Sequence, residues 1–320
     1  MPAPIRTSQD SNAISRGDIV NDPIRVFVGC DPNDCDLEQM MVLEYSARRH
    51  TSRPLDITWM RLSRDPASPW YCDPARKLGW RTETWSTPFS AFRWAIPAVC
   101  GFRGRALYMD ADMLVRCDLV EIWDMPMDPG TIVAARRDQG QWLSCVALWD
   151  CERARAHLPS LDALRVNPQA HKEMKRLFAG RMDLIQPLAA RYNSVDGDGM
   201  PRDDIGILHY SDMGTQFSHR YSVPRLRAEG RKHWFDGDIL AHPRQDLAEL
   251  FDRYYQEALA AGHRLDDYRN TPAFGELVKA SQKHYTGNRP GPARARWLST
   301  LLKRVVPAHK ADSPESITPR

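Results

Sequence analysis

Two aspartates one residue apart, Asp110 and Asp112 in the stretch RALYMDADMLV (residues 105–115), form the pair in this chain best suited to chemistry. The residues before them, Ala106, Leu107, Tyr108 and Met109, read as a strand buried on both faces. Such a strand seldom ends on paired acids unless something balances their charge. In extended chain alternate residues point the same way, so Asp-x-Asp can aim two carboxylates at one divalent ion while the small Ala111 keeps the approach narrow. Mg²⁺ or Mn²⁺ held by only two protein oxygens keeps positions open for a phosphate-bearing ligand, and a metal bridge to a diphosphate follows. The plainer alternative is a solvated turn in which one aspartate caps a helix.

The elements that must position this pair alternate in type. Ile24 to Cys30 reads as a first strand, and Leu37, Met40, Met41, Leu43 and Tyr45 recur at near-helical spacing after it. PLDITWMRL reads as a second strand. A loop rich in Pro and aromatics follows, and FSAFRWAIPAVCGF resumes helical periodicity before the Asp-x-Asp strand. GTIVAARR and SCVALWDC read as later strands, residues 152–204 as helical and irregular, and IGILHYS as another short strand. An amphipathic helix from about Asp246 to Ala261 closes at Gly262, a C-cap. Strands alternating with helices predict an α/β fold with a largely parallel sheet covered on both faces, and ligands of such sheets bind beyond the carboxyl ends of the strands. That puts Asp110 and Asp112 on the binding edge. No internal repeat is visible.

A chain of 320 residues with 42% apolar content and ten Trp can bury a sizeable core in one large or two ordinary domains. No apolar run approaches the roughly 18–20 residues of a membrane-spanning helix, and the N-terminus lacks the apolar core of a signal peptide, so the cytosol is the expected compartment. The seven cysteines contain no C-x-x-C pair and sit mostly in apolar stretches. They read as reduced thiols, with neither a zinc site nor a disulfide framework indicated. The formal charge is +3, yet Lys279 to Lys310 holds eight basic and no acidic side chains, which leaves 36 basic against 41 acidic elsewhere. A basic segment on a mildly acidic body argues against a nucleic-acid-binding core and for one local anionic partner.

Residues 87–125, TPFSAFRWAIPAVCGFRGRALYMDADMLVRCDLVEIWDM, closely resemble a segment of family 8 glycosyltransferases and their bacterial relatives, in which a Phe-x-Arg-x-x-x-Pro helix leads through LYLDADMIV to an Asp-Leu-x-x-Leu/Ile-Trp turn. The anchors are Phe92, Arg93, Pro97, Tyr108, Asp110, Asp112, Asp118, Leu119 and Trp123. VFVGCDPND resembles the family's first strand and uridine-contacting loop, WLSCVALWD its FNSGVMLIN strand, LAARYNSV its LPxxWN, and ILHYSD the start of its HxxGxxKPW. The resemblance spans residues 24 to about 217.

It implies a GT-A fold, Rossmann-like with a mixed, mainly parallel sheet, flanking helices and C-terminal helices. It also implies a retaining, metal-dependent transfer of a sugar from a nucleoside diphosphate, usually UDP, to a saccharide or lipid-linked acceptor, in the manner of bacterial polysaccharide assembly. Carried over by position, Asp110, Asp112 and His209 would hold Mn²⁺ or Mg²⁺. Asp31 and Asn33 would lie by the base and ribose, Arg93 by the diphosphate or donor sugar, and Ala111 beside the donor. The chain departs from the pattern after the histidine, where Asp212 and Thr215-Gln216-Phe217 replace the Gly and Lys-Pro-Trp; Arg220, Arg225 or Lys232 could supply the missing cation. Leu143 stands where the family has Asn, and no catalytic side chain beyond the metal set can be named. Two rival classes are a haloacid-dehalogenase-like phosphatase, whose Asp-x-Asp opens its domain and continues to Thr or Val where Leu114 stands, and a degenerate transferase fold serving as a scaffold.

The expected organisation is a disordered segment 1–23, a transferase domain 24–270, a basic amphipathic segment 271–310 and a disordered tail 311–320. Within PARARWLSTLLKRVVP, a helical projection gathers Trp297, Leu298, Leu301, Leu302, Val305 and Val306 on one half and sets Arg296 and Lys303 opposite. Acid-free flanks suit an anionic membrane surface, where each basic residue gains roughly 1 kcal/mol, and a peripheral site at the inner membrane face follows. Deleting residues 290–320 should abolish binding to anionic liposomes at low salt and spare donor hydrolysis. A truncated chain that unfolds would instead make this helix part of the core.

Overall fold

A computed structural model describes residues 22–233, 235 and 238–277. Among them, six strands form the main sheet in the order Leu55–Met60, Ile24–Gly29, Arg105–Asp110, Gln141–Asp150, Val133–Asp138, Ile185–Leu188. Five run in one direction and Gln141–Asp150 is reversed, antiparallel to both neighbours. This is the mixed, mainly parallel α/β sheet that the alternation predicts. The reversed strand arises because GTIVAARR and SCVALWDC are joined by the tight Gln139-Gly140 turn, both residues at positive φ, which makes them a hairpin. A smaller sheet joins Ser194–Val195, Ile207–His209 and Met113–Val115, so the chain just past Asp112 pairs antiparallel with the strand that ends on His209.

Side-chain alternation sorts the core onto two faces. Val26, Val28, Leu107 and Met109 join the helices Leu37–His50 and Gln245–Ala260 on one side. Phe27, Ala106 and Tyr108 face an aromatic layer on the other, and by the same period Asp110 follows Tyr108 onto that side. Here the Pro- and aromatic-rich loop does its packing. The buried rings of Trp70, Trp80 and Trp85 surround Phe92 with centroids 4.7, 5.2 and 5.5 Å away. The continuous helix predicted over FSAFRWAIPAVCGF is instead a 3₁₀ turn, Phe92–Trp94, and one α-helical turn, Ile96–Val99. Pro97 has no N–H to continue the ladder and restricts the residue before it, which divides the segment.

The helix Gln245–Ala260 closes as expected at Gly262, whose φ is +97°; its N–H bonds Leu259 O and that of His263 bonds Ala258 O, each at 3.1 Å. No helix among the described residues is long and apolar enough to cross a membrane. The segments 1–21 and 278–320 lie outside the described residues, and with them most of the predicted N-terminal segment, the amphipathic stretch around Trp297 and the tail. Residues 271–277 pack on the body: Phe274 is buried beneath Arg64, whose guanidinium lies 3.9 Å from the ring centroid.

Because Phe92 fills an aromatic cage and carries Arg93 beside it, Phe92→Ala should cost about 3–5 kcal/mol of stability, the usual range for emptying such a site. Urea unfolding measures it, and a midpoint close to that of the unaltered chain would contradict this role.

Candidate metal and donor site

Asp110 closes its strand on the aromatic side and is held there from two directions. Arg93 Nη2 lies 3.0 Å from its Oδ1, and the Tyr108 hydroxyl donates to the same oxygen. The guanidinium also bonds Ser144 O and Oγ at 2.8 and 3.2 Å and sits 4.6 Å from the Tyr108 ring centroid, so it is anchored by more than the carboxylate. Burial is the largest single influence and opposes its charge, but Asp110, Tyr108 and Cys145 together outweigh it and hold the guanidinium above its ordinary value; burial likewise pushes the Tyr108 phenol well above its ordinary value, so the hydroxyl stays a donor. Gly29 pairs with Asp110 across the parallel ladder. A Cβ there would come within 2.8 Å of Phe89 and 3.0 Å of the Tyr108 hydroxyl, so only glycine leaves room for that contact.

Asp112 is met from the small sheet. Its Oδ2 accepts from Gln216 Nε2 at 2.8 Å, while His209 Nε2 stands 3.3 Å from Oδ1. That Oδ1 is fully buried and accepts no hydrogen bond. His209 Nδ1 is 3.1 Å from Asn193 Oδ1, and Asn193 Nδ2 is turned to the Leu143 carbonyl. A carbonyl oxygen can only accept, so Nδ1 carries a proton, and Nε2 is the ring nitrogen that faces the bare oxygen of Asp112. A carboxylate oxygen and a ring nitrogen 3.3 Å apart in a buried site call for a metal cation or a proton between them. The same geometry accepts a proton: burial alone would lower the imidazole's proton affinity, but the Asp112 charge raises it well above the ordinary value. Among the described residues the ligand atoms close enough to share one ion belong to Asp110, Cys145 and His209; Asp112 lies outside that group and meets it through His209.

Asp110, Ala111, Asp112, His209 and Arg93 all line one cavity of about 700 Å³. Asp31 and Asn33 do not line it. Asp31 is buried, its Oδ1 accepting from the N–H groups of Asn33 and Cys35 at 2.7 and 3.3 Å. The Asn33 amide is occupied in both directions by the backbone of Gly275, at 2.8 and 2.9 Å. From the same loop it is Asp36 that reaches the cavity; burial first, then the charges of Asp31 and Asp112, push it well above the usual carboxylate range.

The three cations considered as replacements for the family's lysine are also elsewhere. Arg220 pairs with Asp252 at 2.7 Å, Arg225 with Glu38 at 2.6 Å, and none of Arg220, Arg225 and Lys232 lines the cavity. Lys175 does, from the helix Ala170–Gly180, and so does His171, whose pKa falls to about 3 through burial and then through the charges of Arg93 and Lys175. Sequence reading also missed Cys145. Its sulfur, a carboxylate oxygen of Asp110 and a ring nitrogen of His209 all lie within 4.8 Å of one another. For Lys175 the only signal was one of two lysines on an amphipathic helix; for Cys145 it was a single cysteine in an apolar strand.

No family model matches the chain. Protein CDI of Arabidopsis thaliana is 30% identical over 132 residues, which cover 40% of this chain and 46% of that protein, so the chain spans about half the length of the curated relative it matches. Among solved structures, the glycosyltransferase GlyE of Streptococcus pneumoniae TIGR4 is 15% identical with a TM-score of 0.46, over 80% of this chain and 67% of that one. The galactosyltransferase LgtC in complex with donor and acceptor sugar analogs is 13% identical with a TM-score of 0.44, over 73% and 96%. The chain's own topology is a mixed, mainly parallel α/β sheet with five co-directional strands, one reversed strand, and an Asp-x-Asp pair at the carboxyl edge.

Since Asn193 fixes which nitrogen of His209 is free, Asn193→Ala should weaken Mn²⁺ binding by about 10–100-fold, the usual loss when an outer hydrogen bond to a ligand is removed. Isothermal titration calorimetry reads the change. Unaltered affinity would separate Asn193 from the metal site.

Proposed function

We propose that the chain is a metal-dependent glycosyltransferase that moves a sugar, with retention, from a nucleoside-diphosphate donor, UDP-linked in the first instance, to a saccharide or lipid-linked acceptor. The observation that carries this reading is the bare buried Oδ1 of Asp112 facing His209 Nε2, beside Asp110, in a cavity large enough for a nucleotide sugar. A bound Mn²⁺ or Mg²⁺ would supply charge stabilisation for a departing diphosphate. Asp110, Asp112 and His209 would hold it. Arg93, kept protonated and anchored on Ser144, is the cation placed to orient donor oxygens next to Asp110. Lys175, which lines the cavity from the helix Ala170–Gly180, would supply the positive charge that Thr215 does not. Ala111 leaves the space between the two carboxylates open, and Asp31 and Asn33 support the donor side from behind through the loop that delivers Asp36.

A second reading, a transferase fold that binds donor without turning it over, draws support from one feature. Asp110 already has Arg93 and Tyr108 as partners and Asp112 has His209 and Gln216, so the site is largely neutralised by the chain itself.

A screen of UDP-, GDP- and dTDP-sugars with and without Mn²⁺ separates the two. A transferase hydrolyses one donor slowly and only with metal; a binding module retains it intact. Asp112→Asn should abolish the metal-dependent rate in a folded protein. Lys175→Met should lower kcat by about 10²–10³-fold, the cost of losing one group that stabilises developing charge. Full activity in Asp112→Asn would sink the assignment.

A further inference from the structure

The hairpin brings Cys145 to the metal set by a register effect. Met109 pairs with Val146 across the antiparallel ladder, so the next step along it sets Cys145 opposite Asp110. On the other edge the register jumps: Ala135 faces Ala147, but its neighbour Arg136 faces Leu143, so Ser144, Cys145 and Val146 have no partners on that strand. A bulge of this kind re-aims side chains, and here it turns the sulfur toward Asp110 and His209. The carboxylate oxygen, thiol sulfur and imidazole nitrogen lie within 4.8 Å of one another, and Asp112 Oδ1 is 3.3 Å from His209 Nε2. Donors around a tetrahedral ion at about 2.0–2.3 Å stand roughly 3.3–3.8 Å apart, so movements of about 1 Å would bring the Asp110, Cys145 and His209 atoms to that spacing.

We propose that Cys145 is a thiolate ligand of this site and that the ion it prefers is a borderline one of the zinc or cobalt type. The inference rests on the metal site read above and changes what that site selects. Two oxygens and one nitrogen suit Mn²⁺ or Mg²⁺; replacing an open position by sulfur shifts affinity toward thiophilic ions and tetrahedral geometry. On binding, the S–H bond breaks, its proton passes to solvent, and the sulfur lone pair forms the bond to the metal, with no change in oxidation state. A cysteine so engaged is also shielded from alkylation.

Titration of the full chain with Co²⁺ tests this without relying on turnover. The expected spectrum has intense visible bands of tetrahedral Co²⁺ and a near-ultraviolet thiolate-to-cobalt charge-transfer band. Cys145→Ser should keep Co²⁺ binding, lose the charge-transfer band, and bind Zn²⁺ about 10–100-fold more weakly, with little change for Mn²⁺. In the unaltered protein, Zn²⁺ should slow iodoacetamide labelling of Cys145, mapped by mass spectrometry, which reads the same contact should the variant fold poorly. A charge-transfer band that persists in Cys145→Ser, a weak octahedral spectrum, or labelling indifferent to Zn²⁺ would overturn the proposal. Mn²⁺-dependent transfer without a thiolate band would overturn it and spare the transferase reading. The thiolate band with no transfer by any ion would support it and sink that reading.

Discussion

Two carboxylates at the end of a buried strand set the terms for the rest of this structure. Removing a charge from water costs several kcal/mol even after relaxation, so each carboxylate needs partners brought from elsewhere in the chain. Asp110 and Asp112 line the same cavity but recruit different elements. The aromatic cage around Phe92 holds the 3₁₀ turn that presents Arg93 to Asp110. The small sheet, pinned by Tyr210 N–H to Asp112 O at 2.9 Å, presents His209 to Asp112. Tyr210 in turn donates to Leu247 O, so the closing helix buttresses the same strand.

The partners differ in how firmly they are held, and that difference bears on function. Arg93 keeps two bonds to Ser144 whether or not Asp110 turns away, so it can remain in place while the carboxylate changes partner. His209 is fixed at Nδ1 by Asn193 and has only Nε2 to offer. Rigid supports around side chains with one free valence are what a binding site needs, since ordering is then complete before a ligand arrives.

Much of this was legible where the signal is local. The strand before Asp110, the helix ending at Gly262 and the strand ending on His209 each carry their pattern within a dozen residues, and the structure has all three. Whatever depends on distant pairing was not legible. The reversal of Gln141–Asp150 follows from a hairpin turn that periodicity does not register. Cys145 reaches the site only because that hairpin is bulged and lies beside Asp110. Lys175 reaches the cavity because its helix packs over the sheet; Arg220 and Arg225, nearer in sequence to His209, are engaged by Asp252 and Glu38. Spacing along the chain could not weigh those competing acids.

The loop after the first strand shows why a buried acid alone does not mark a site. Asp34 is as buried as His209, yet both of its oxygens are met by the chain: Oδ1 by the Asn270 N–H at 2.8 Å, Oδ2 by Arg231 at 3.1 Å with Arg269 near. It ties the loop to the segment that leads to Gly275, a structural role. Asp31 is intermediate. Its Oδ1 accepts two N–H groups and its Oδ2 none, and burial raises its proton affinity, so a proton suffices to settle it. Asp112 differs in setting: its bare oxygen faces His209 Nε2, whose ring is committed at the other nitrogen, in a cavity open to ligands, so either a proton on the imidazole or a cation from outside the chain can complete it.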